Sequence, residues 1–386
     1  MAPSTVVIIG ASSVGLPAAH TLLQDSNIKV VLINPASTFY WNIAAPRIVA
    51  KPKAFRPEQY LLSIKDAFAS YKKELFEFIH GTATAIDVTT KVVSVAPAGS
   101  NDTRSVSYDY LLIASGATTP ATAGTVTGSS IPFKPTGREE LKDMIAAAQQ
   151  QIANAKSIVI GGAGPIGVEL AGELAEAVEQ SGNAGKVSIT LVSATDRVLQ
   201  MLKPSASSAA EKLLKQKKVE VITSTRVLGA EASGDGAKSW TVSLDNGKTL
   251  STDLYIPTTG SVPNNSFIPT DLLDKDGWVK VTKELRVESA EAIYAAGDIT
   301  NFTMRLGFKA VEQARIAANN IKADILGHGE RKAYDQGDSV MMMVPVGEAG
   351  GTGQVFGFVP WSFMVRMVKG KDFFVSKASD LVTGKA

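Results

Sequence analysis

Twice along this chain a short apolar run ends in a glycine-rich turn and passes into a helical pattern, and no other feature limits the fold as tightly. The first copy runs through Val6–Ile9, Gly10–Gly15, a helix to about Gln24 and a strand over Lys29–Ile33. The second runs through Ser157–Ile160, Gly161–Gly167, a helix to about Gln180 and a strand over Lys186–Val192. Strands covered on both faces read as unbroken apolar runs, and strand–helix–strand units of this kind build parallel sheets with helices against them. The copies start about 150 residues apart, far too wide for a solenoid repeat, so one module is carried twice. The expected fold class is α/β with two Rossmann-like units plus a C-terminal segment.

Composition narrows the chemistry. A chain of 386 residues suits two or three domains. Its 45% hydrophobic and 20% charged residues describe a soluble protein with a sizeable core. A formal net charge of +2 lacks the basic footprint of a nucleic-acid binder. There is no cysteine, which excludes disulfide frameworks, thiolate zinc sites, iron–sulfur clusters and any redox-active thiol. His20, His80 and His328 are too few for a histidine metal cluster, so no metal site is expected. Met1–Thr5 leads straight into Val6–Ile9 without a signal-peptide pattern, and Ala2 stands where myristoylation requires glycine. No window of 18 residues is apolar and uncharged, and a cytoplasmic protein is expected.

Between the two modules, Phe76–Ala96 reads as β-rich, Tyr110–Ala114 as a strand running into Ser115-Gly116, and Thr118–Ser130 as a linker. After the second module come a helix over Lys203–Lys217, a strand over Glu220–Ile222 and a hairpin turning at Asn246-Gly247. Leu254–Ile256 and Ala292–Ala296 read as strands and Gly307–Leu326 as a helix. The tail from Tyr334 differs: Met341–Met343, a glycine-rich Gly347–Gly357, then an aromatic and basic run from Phe356 to Phe374.

Gly162-Ala163-Gly164-Pro165-Ile166-Gly167 matches G-x-G-x-x-G between a strand and a helix. The first glycine makes the turn, the second admits a pyrophosphate, the third lets helix and strand pack closely, and the helix N-terminus faces the phosphates. In the first copy, Gly10-Ala11-Ser12-Ser13-Val14-Gly15 has Ser12 in the middle position, and Asn34 ends the next strand where an acid would bind ribose hydroxyls. That turn is one residue too long for the G-x-S-x-G of a hydrolase. Ser193 stands where an acid would repel the 2′-phosphate of NADPH, and Arg197 follows it, so use of both nicotinamide cofactors is expected. Glu169 lies just beyond Gly167, where the helix dipole alone favours a carboxylate.

Asp298, after Ala292–Gly297 and ahead of the helix from Gly307, reads locally as a cap or turn residue. In its surroundings it resembles the aspartate of flavoproteins with two dinucleotide-binding domains, related to glutathione reductase. Leu111–Gly116 resembles their A-[TS]-G crossover, and Thr258–Asn264 their T-G-x-x-P-N segment. Phe39–Arg47 is similar to the F-x-x-N-x-A-A-x-R stretch of the ferroptosis suppressor branch of apoptosis-inducing-factor proteins, as is the tail around Lys369–Ser376.

The resemblance implies an FAD-dependent NAD(P)H:quinone oxidoreductase in which Asp298 holds the ribityl chain. Gly10, Ser12, Gly15, Asn34, Asn42, Arg47, Ala83 and Gly116 join Asp298 as cofactor-binding residues. Gly162, Gly164, Gly167, Ser193, Arg197 and Gly260 complete that set. Lys369 and Glu169 are the implied catalytic residues and Phe374 the substrate lid. Residues 1–125 and 254–330 form the expected FAD domain, 126–253 the NAD(P)H domain, and 331–386 a C-terminal segment. That segment stands as a lid over the flavin or as an amphipathic surface on an anionic membrane. A homodimer is among the expected states, and oxygen, a biosynthetic intermediate or a protein partner gated by the cofactor stand as alternative recipients.

Overall fold

A computed structural model describes residues 2–123, 130–135, 137, 139–233 and 239–385. Ser4–Ile9 lies within a seven-stranded sheet ordered Ile293–Ala295, Tyr110–Ile113, Ser4–Ile9, Ile28–Asn34, Phe76–Asp87, Val92–Pro97, Arg104–Ser107. The first five strands are parallel, and the last two fold back as antiparallel hairpins. Val6–Ile9 is at most 5% exposed, which is why this strand is apolar without alternation. Helix α1 (Gly15–Leu22) links the first strand to Ile28–Asn34, and the short α2 (Ala45–Ala50) is buried throughout.

The second sheet is parallel, ordered Glu220–Ile222, Ser188–Val192, Ser157–Gly161, Leu254–Pro257. Helix α3 (Pro165–Gln180) follows its glycine turn and packs against α2. The boundary expected at 254 is corrected here. Leu254–Pro257 is an all-buried strand in register with Ile158–Gly161, so the second sheet keeps the chain through Pro257. A three-stranded antiparallel meander, Val227–Ser233, Ser239–Leu244 and Thr249–Thr252, sits beside it with Asn246-Gly247 in its last turn.

The stretch read as a linker is partly structured. Ala117–Thr118 pairs antiparallel with Val262–Pro263, and Pro120–Ala123 forms a helical turn in which the Thr122 N–H donates to Thr119 Oγ1. Residues 124–129 of that stretch lie outside the described residues. Helix α4 (Gly307–Leu326) returns to the first sheet and packs on α1.

In the tail, Met342–Pro345 pairs with Gly351–Gln354, and Ser362–Val365 continues into a wider helical turn over Arg366–Gly370. The end of the tail docks on the first unit, where Val382 O lies 2.8 Å from His20 Nε2. Phe356, Phe358, Trp361, Phe363, Met364, Met367 and Val368 nevertheless stay exposed. No helix among the described residues is long and apolar enough to cross a membrane.

Candidate functional site

The two glycine turns have nearly the same shape. Gly10 and Gly162 have φ of 108° and 117°, and their N–H groups donate to Ile33 O and Val192 O, each at 2.9 Å. A Cβ would fall 2.3 Å from Ala114 O at Gly10 and 2.4 Å from Thr259 Cγ2 at Gly162, so neither position admits a side chain. The middle positions differ. Around Gly164 nothing lies within 4 Å of where a Cβ would be, leaving open the space a pyrophosphate needs. Ser12, at the equivalent position of the first turn, lines the groove.

Gly10, Ser12, Asn34, Asn42, Ala83, Gly116 and Asp298 line one groove of 560 Å³. It passes the N-terminus of α1, where the helix dipole favours an anion, and takes in Asn34 and Ala83 as well as Asp298, ahead of α4. An elongated dinucleotide with its central pyrophosphate at the α1 turn and sugar hydroxyls near Asn34 and a carboxylate fits this donor set. Asn34 fastens the turn: its Oδ1 accepts from the Ala11 N–H at 2.9 Å and its Nδ2 donates to Ala36 O at 2.8 Å. One amide hydrogen remains for a ribose hydroxyl. Gly15 lies behind the groove wall, where helix and turn meet.

Sequence reasoning missed Lys134, whose Nζ lies 2.6 Å from Asp298 Oδ2 in the same groove. Its segment is held in place by Tyr40, whose hydroxyl donates to Pro132 O, and by Asn42, whose Nδ2 donates to Phe133 O. The one local signal is an isolated lysine after the apolar Ile131-Pro132-Phe133.

Both chain crossings between the two sheets lie side by side. Asn264 donates from its N–H to Gly116 O at 3.1 Å and from Nδ2 to Ser115 O at 2.7 Å. The Ser115 hydroxyl donates to Asn264 O at 2.8 Å. Thr258 Oγ1 donates to Gly162 O at 2.7 Å and so ties the second crossing to the second glycine turn. Gly260 sits in this crossing near Pro120, off the groove.

Near the second turn, Ser193 is buried and its hydroxyl donates to Arg197 O at 3.2 Å. Arg197 donates from Nη2 to Gln200 O at 3.0 Å, while its buried Nε has no partner among the described residues. The Leu199 N–H donates to Ala163 O at 2.8 Å, which holds this loop against Gly162–Gly167. The Arg197 Nη1 lies 3.4 Å from the exposed Asp196 Oδ1, so the outer end of the guanidinium is the part a phosphorylated ribose would compete for.

Glu169, Glu173 and Glu176 repeat at helical spacing on one buried face of α3, and each meets a cation. Glu169 Oε1 lies 2.6 Å from Lys369 Nζ, which also donates to Met343 O at 3.1 Å. Glu173 accepts from Arg47 Nε and Nη2 at 2.9 and 2.8 Å and pairs with Lys51 at 3.0 Å. Glu176 lies 2.5 Å from Lys51 Nζ and accepts from the Glu348 N–H at 2.8 Å. Oxygens of Glu173, Glu176 and Glu348 lie within 4.8 Å of one another, but the Lys51 ammonium contacts all three carboxylates.

Burial pushes the Glu169 carboxyl above its usual range, with Lys369 pulling the other way. For Glu176 burial also acts upward, but hydrogen bonds from Lys51 and the Glu348 N–H outweigh it and the pKa is lowered. Burial acts downward on Lys51, yet Glu173 and Glu176 raise it overall.

One expectation needs correcting. Arg47 is not a groove residue: its fork is committed to Glu173, and its Nη1 donates to Lys371 O at 2.9 Å. The carboxylate on α3 claims it because a buried guanidinium requires a partner. Of the tail phenylalanines, Phe374 is half-buried, whereas Phe373 is fully buried with its ring centroid 4.7 Å from Arg47 Cζ and 5.5 Å from Lys369 Nζ. The side chains of Glu169 and Lys369 meet where α3 joins the tail and do not line the groove.

Comparison with known proteins identifies the family and the fold. The sequence model of the pyridine nucleotide-disulphide oxidoreductase family matches residues 4–318. The chain is 34% identical to oxidoreductase phnG of Penicillium herquei, over 98% of this chain and 96% of that one. It is 35% identical to oxidoreductase ptaL of Pestalotiopsis fici, over 98% of each. Ferroptosis suppressor protein 1 of Xenopus tropicalis is 27% identical over 97% of this chain and 94% of its own. Among solved structures, the sulfide:quinone oxidoreductase of Aquifex aeolicus superposes with a TM-score of 0.78 at 18% identity, covering 98% of this chain and 92% of that one. NDH2 of Plasmodium falciparum gives 0.76 at 13% identity, covering 99% of both.

Proposed function

The chain belongs to the pyridine nucleotide-disulphide oxidoreductase family, in the branch of ferroptosis suppressor and apoptosis-inducing-factor homologues, and on that premise we propose that it reduces a quinone-type acceptor. It is a flavin-dependent NAD(P)H oxidoreductase, with FAD and NAD(P)H as its cofactors. Bound FAD supplies the redox chemistry, taking a hydride from the nicotinamide and passing electrons onward.

The observation that carries the acceptor assignment is a buried Glu169–Lys369 pair in a chain without a single cysteine. With no thiol to relay electrons, the acceptor must receive them directly. A quinone gaining two electrons builds charge on its carbonyl oxygens and needs protons. In this reading the Lys369 ammonium holds that charge or donates a proton, and Glu169 orients it from inside α3. Asp298, Asn34 and the α1 turn would hold FAD, with Gly162–Gly167, Ser193 and Arg197 receiving NADH or NADPH.

Anaerobic addition of NADPH to the purified, FAD-loaded protein tests the premise, and the flavin bands are expected to bleach. Turnover with short-chain quinones against oxygen alone tests the acceptor. We expect quinone to raise the rate well above the oxygen rate, and equal rates would replace this reading with that of an oxidase.

A further inference from the structure

Phe373 and Phe374 are consecutive non-glycine residues with φ of 49° and 57°. Side chains adopt this left-handed backbone only where the surroundings over-determine it, and such places cluster at functional sites. Here the anchors are explicit. Trp41 Nε1 donates to Phe373 O at 2.9 Å, and Arg47 Nη1 donates to Lys371 O at 2.9 Å. Asp372 accepts from the Phe374 and Ser376 N–H groups at 3.0 and 3.2 Å. Two of these anchors, Trp41 and Arg47, come from the first unit, nowhere near the tail in sequence.

The turn places the fully buried Phe373 ring beside two cations, with Arg47 Cζ 4.7 Å and Lys369 Nζ 5.5 Å from its centroid. An aromatic face attracts a cation, and more strongly where water is excluded. Each cation is turned toward its own glutamate on α3, Arg47 to Glu173 and Lys369 to Glu169, four residues apart. The ring therefore stands between two ion pairs on one helix face.

We propose that Phe373 is a positioning residue, its ring held by the strained turn and the Arg47–Glu173 pair so that the Lys369 ammonium stays on Glu169. The proposal rests on the reading that Glu169 and Lys369 serve the reaction. The charged groups facing Glu169 are Lys369 from the tail, Glu173 on its own helix and Arg47 from α2. Of these, Lys369 is the one in contact. Burial already holds Glu169 above the usual range, so releasing Lys369 moves its titration further up.

The test uses the full-length, FAD-loaded protein carrying Phe373→Leu, which keeps apolar bulk and removes the aromatic face. Two quantities are followed over about pH 5 to 8. One is kcat/KM for NADPH with a water-soluble quinone, and the other is Tm, which needs no turnover. The expected result is a pH limb shifted upward by roughly one unit. The gap in Tm between variant and parent should widen as pH rises, because a carboxyl with a raised folded pKa loses stability through that pKa. Flavin content should not change, since Phe373 does not line the groove.

In a Lys369→Met background, Phe373→Leu should add no further shift. A uniform fall in rate with an unmoved pH profile would overturn the proposal, as would an added shift in that background. Should Phe373→Leu fail to fold, Arg47→Lys is read in the same way, with an upward shift supporting the idea and an unmoved profile rejecting it. If the parent protein shows no quinone turnover, the functional reading fails, while the pH dependence of Tm still decides this one.

Discussion

Lys369 and Glu169 stand 200 residues apart in the chain and 2.6 Å apart in the fold, joining the tail to the helix that follows the second glycine turn. Removing either partner strands a buried charge. Lys369→Met or Glu169→Gln should cost roughly 3–5 kcal/mol in urea unfolding, because an uncompensated buried charge is left behind. The double variant should recover part of that stability and none of the quinone turnover. Recovery of turnover would show that the pair only supports structure.

Acid should act on Glu176 in the opposite sense to Glu169. The Glu176 pKa lies below its ordinary 4.5, so the stability it contributes is present above that value and lost as pH falls through the folded pKa. Glu176→Gln should therefore be less stable than the parent at neutral pH, with the two melting curves converging under acid. A constant offset at every pH would show that the carboxylate's ionisation is not what matters.

Flavin retention should depend on Asp298. A hydrogen bond to a charged group contributes roughly 1.5–3 kcal/mol, so Asp298→Ala should weaken FAD binding about tenfold or more. Quenching of flavin fluorescence on titration into apoprotein measures this directly. Stripping FAD from the parent should also lower Tm, with the loss restored in proportion to added flavin. An unchanged Kd in the alanine variant would move the ribityl contact elsewhere in the groove.

Nicotinamide choice should move with two loop residues. Arg197→Ala is expected to raise the KM for NADPH several-fold more than that for NADH, since it removes the group able to pair with a 2′-phosphate. Ser193→Asp should penalise NADPH in the same direction by repulsion. Equal effects on both cofactors would mean that Arg197 supports only its own loop through Gln200 O.

The sheets and glycine turns were legible in the sequence because their causes are local. Val6–Ile9 is apolar without alternation because both its faces are covered, and Gly10 and Gly162 exclude a Cβ through contacts set by the turn itself. Glu169 and Lys369 were each named, but their contact was not, because spacing along a chain does not say which distant elements meet. Arg47 shows the limit most clearly. Its motif pointed to the cofactor, whereas the folded chain sets it against Glu173, a residue 126 positions away. Lys134 and Phe373 had no periodic signal at all, since what defines them is a loop laid over a groove and a turn pinned from another unit.

The antiparallel pairing of Ala117–Thr118 with Val262–Pro263 has a topological consequence. The chain departs from the first sheet and rejoins it at one doorway, so everything between behaves as a cassette with adjoining ends. Its ends could be joined without rethreading any strand of the seven-stranded sheet, but Arg47, Lys51 and Lys369 would then lose Glu173, Glu176 and Glu169. Topology leaves the segment separable while those three ion pairs bind it in place, so any replacement would have to carry the same carboxylates as well as its own nucleotide turn.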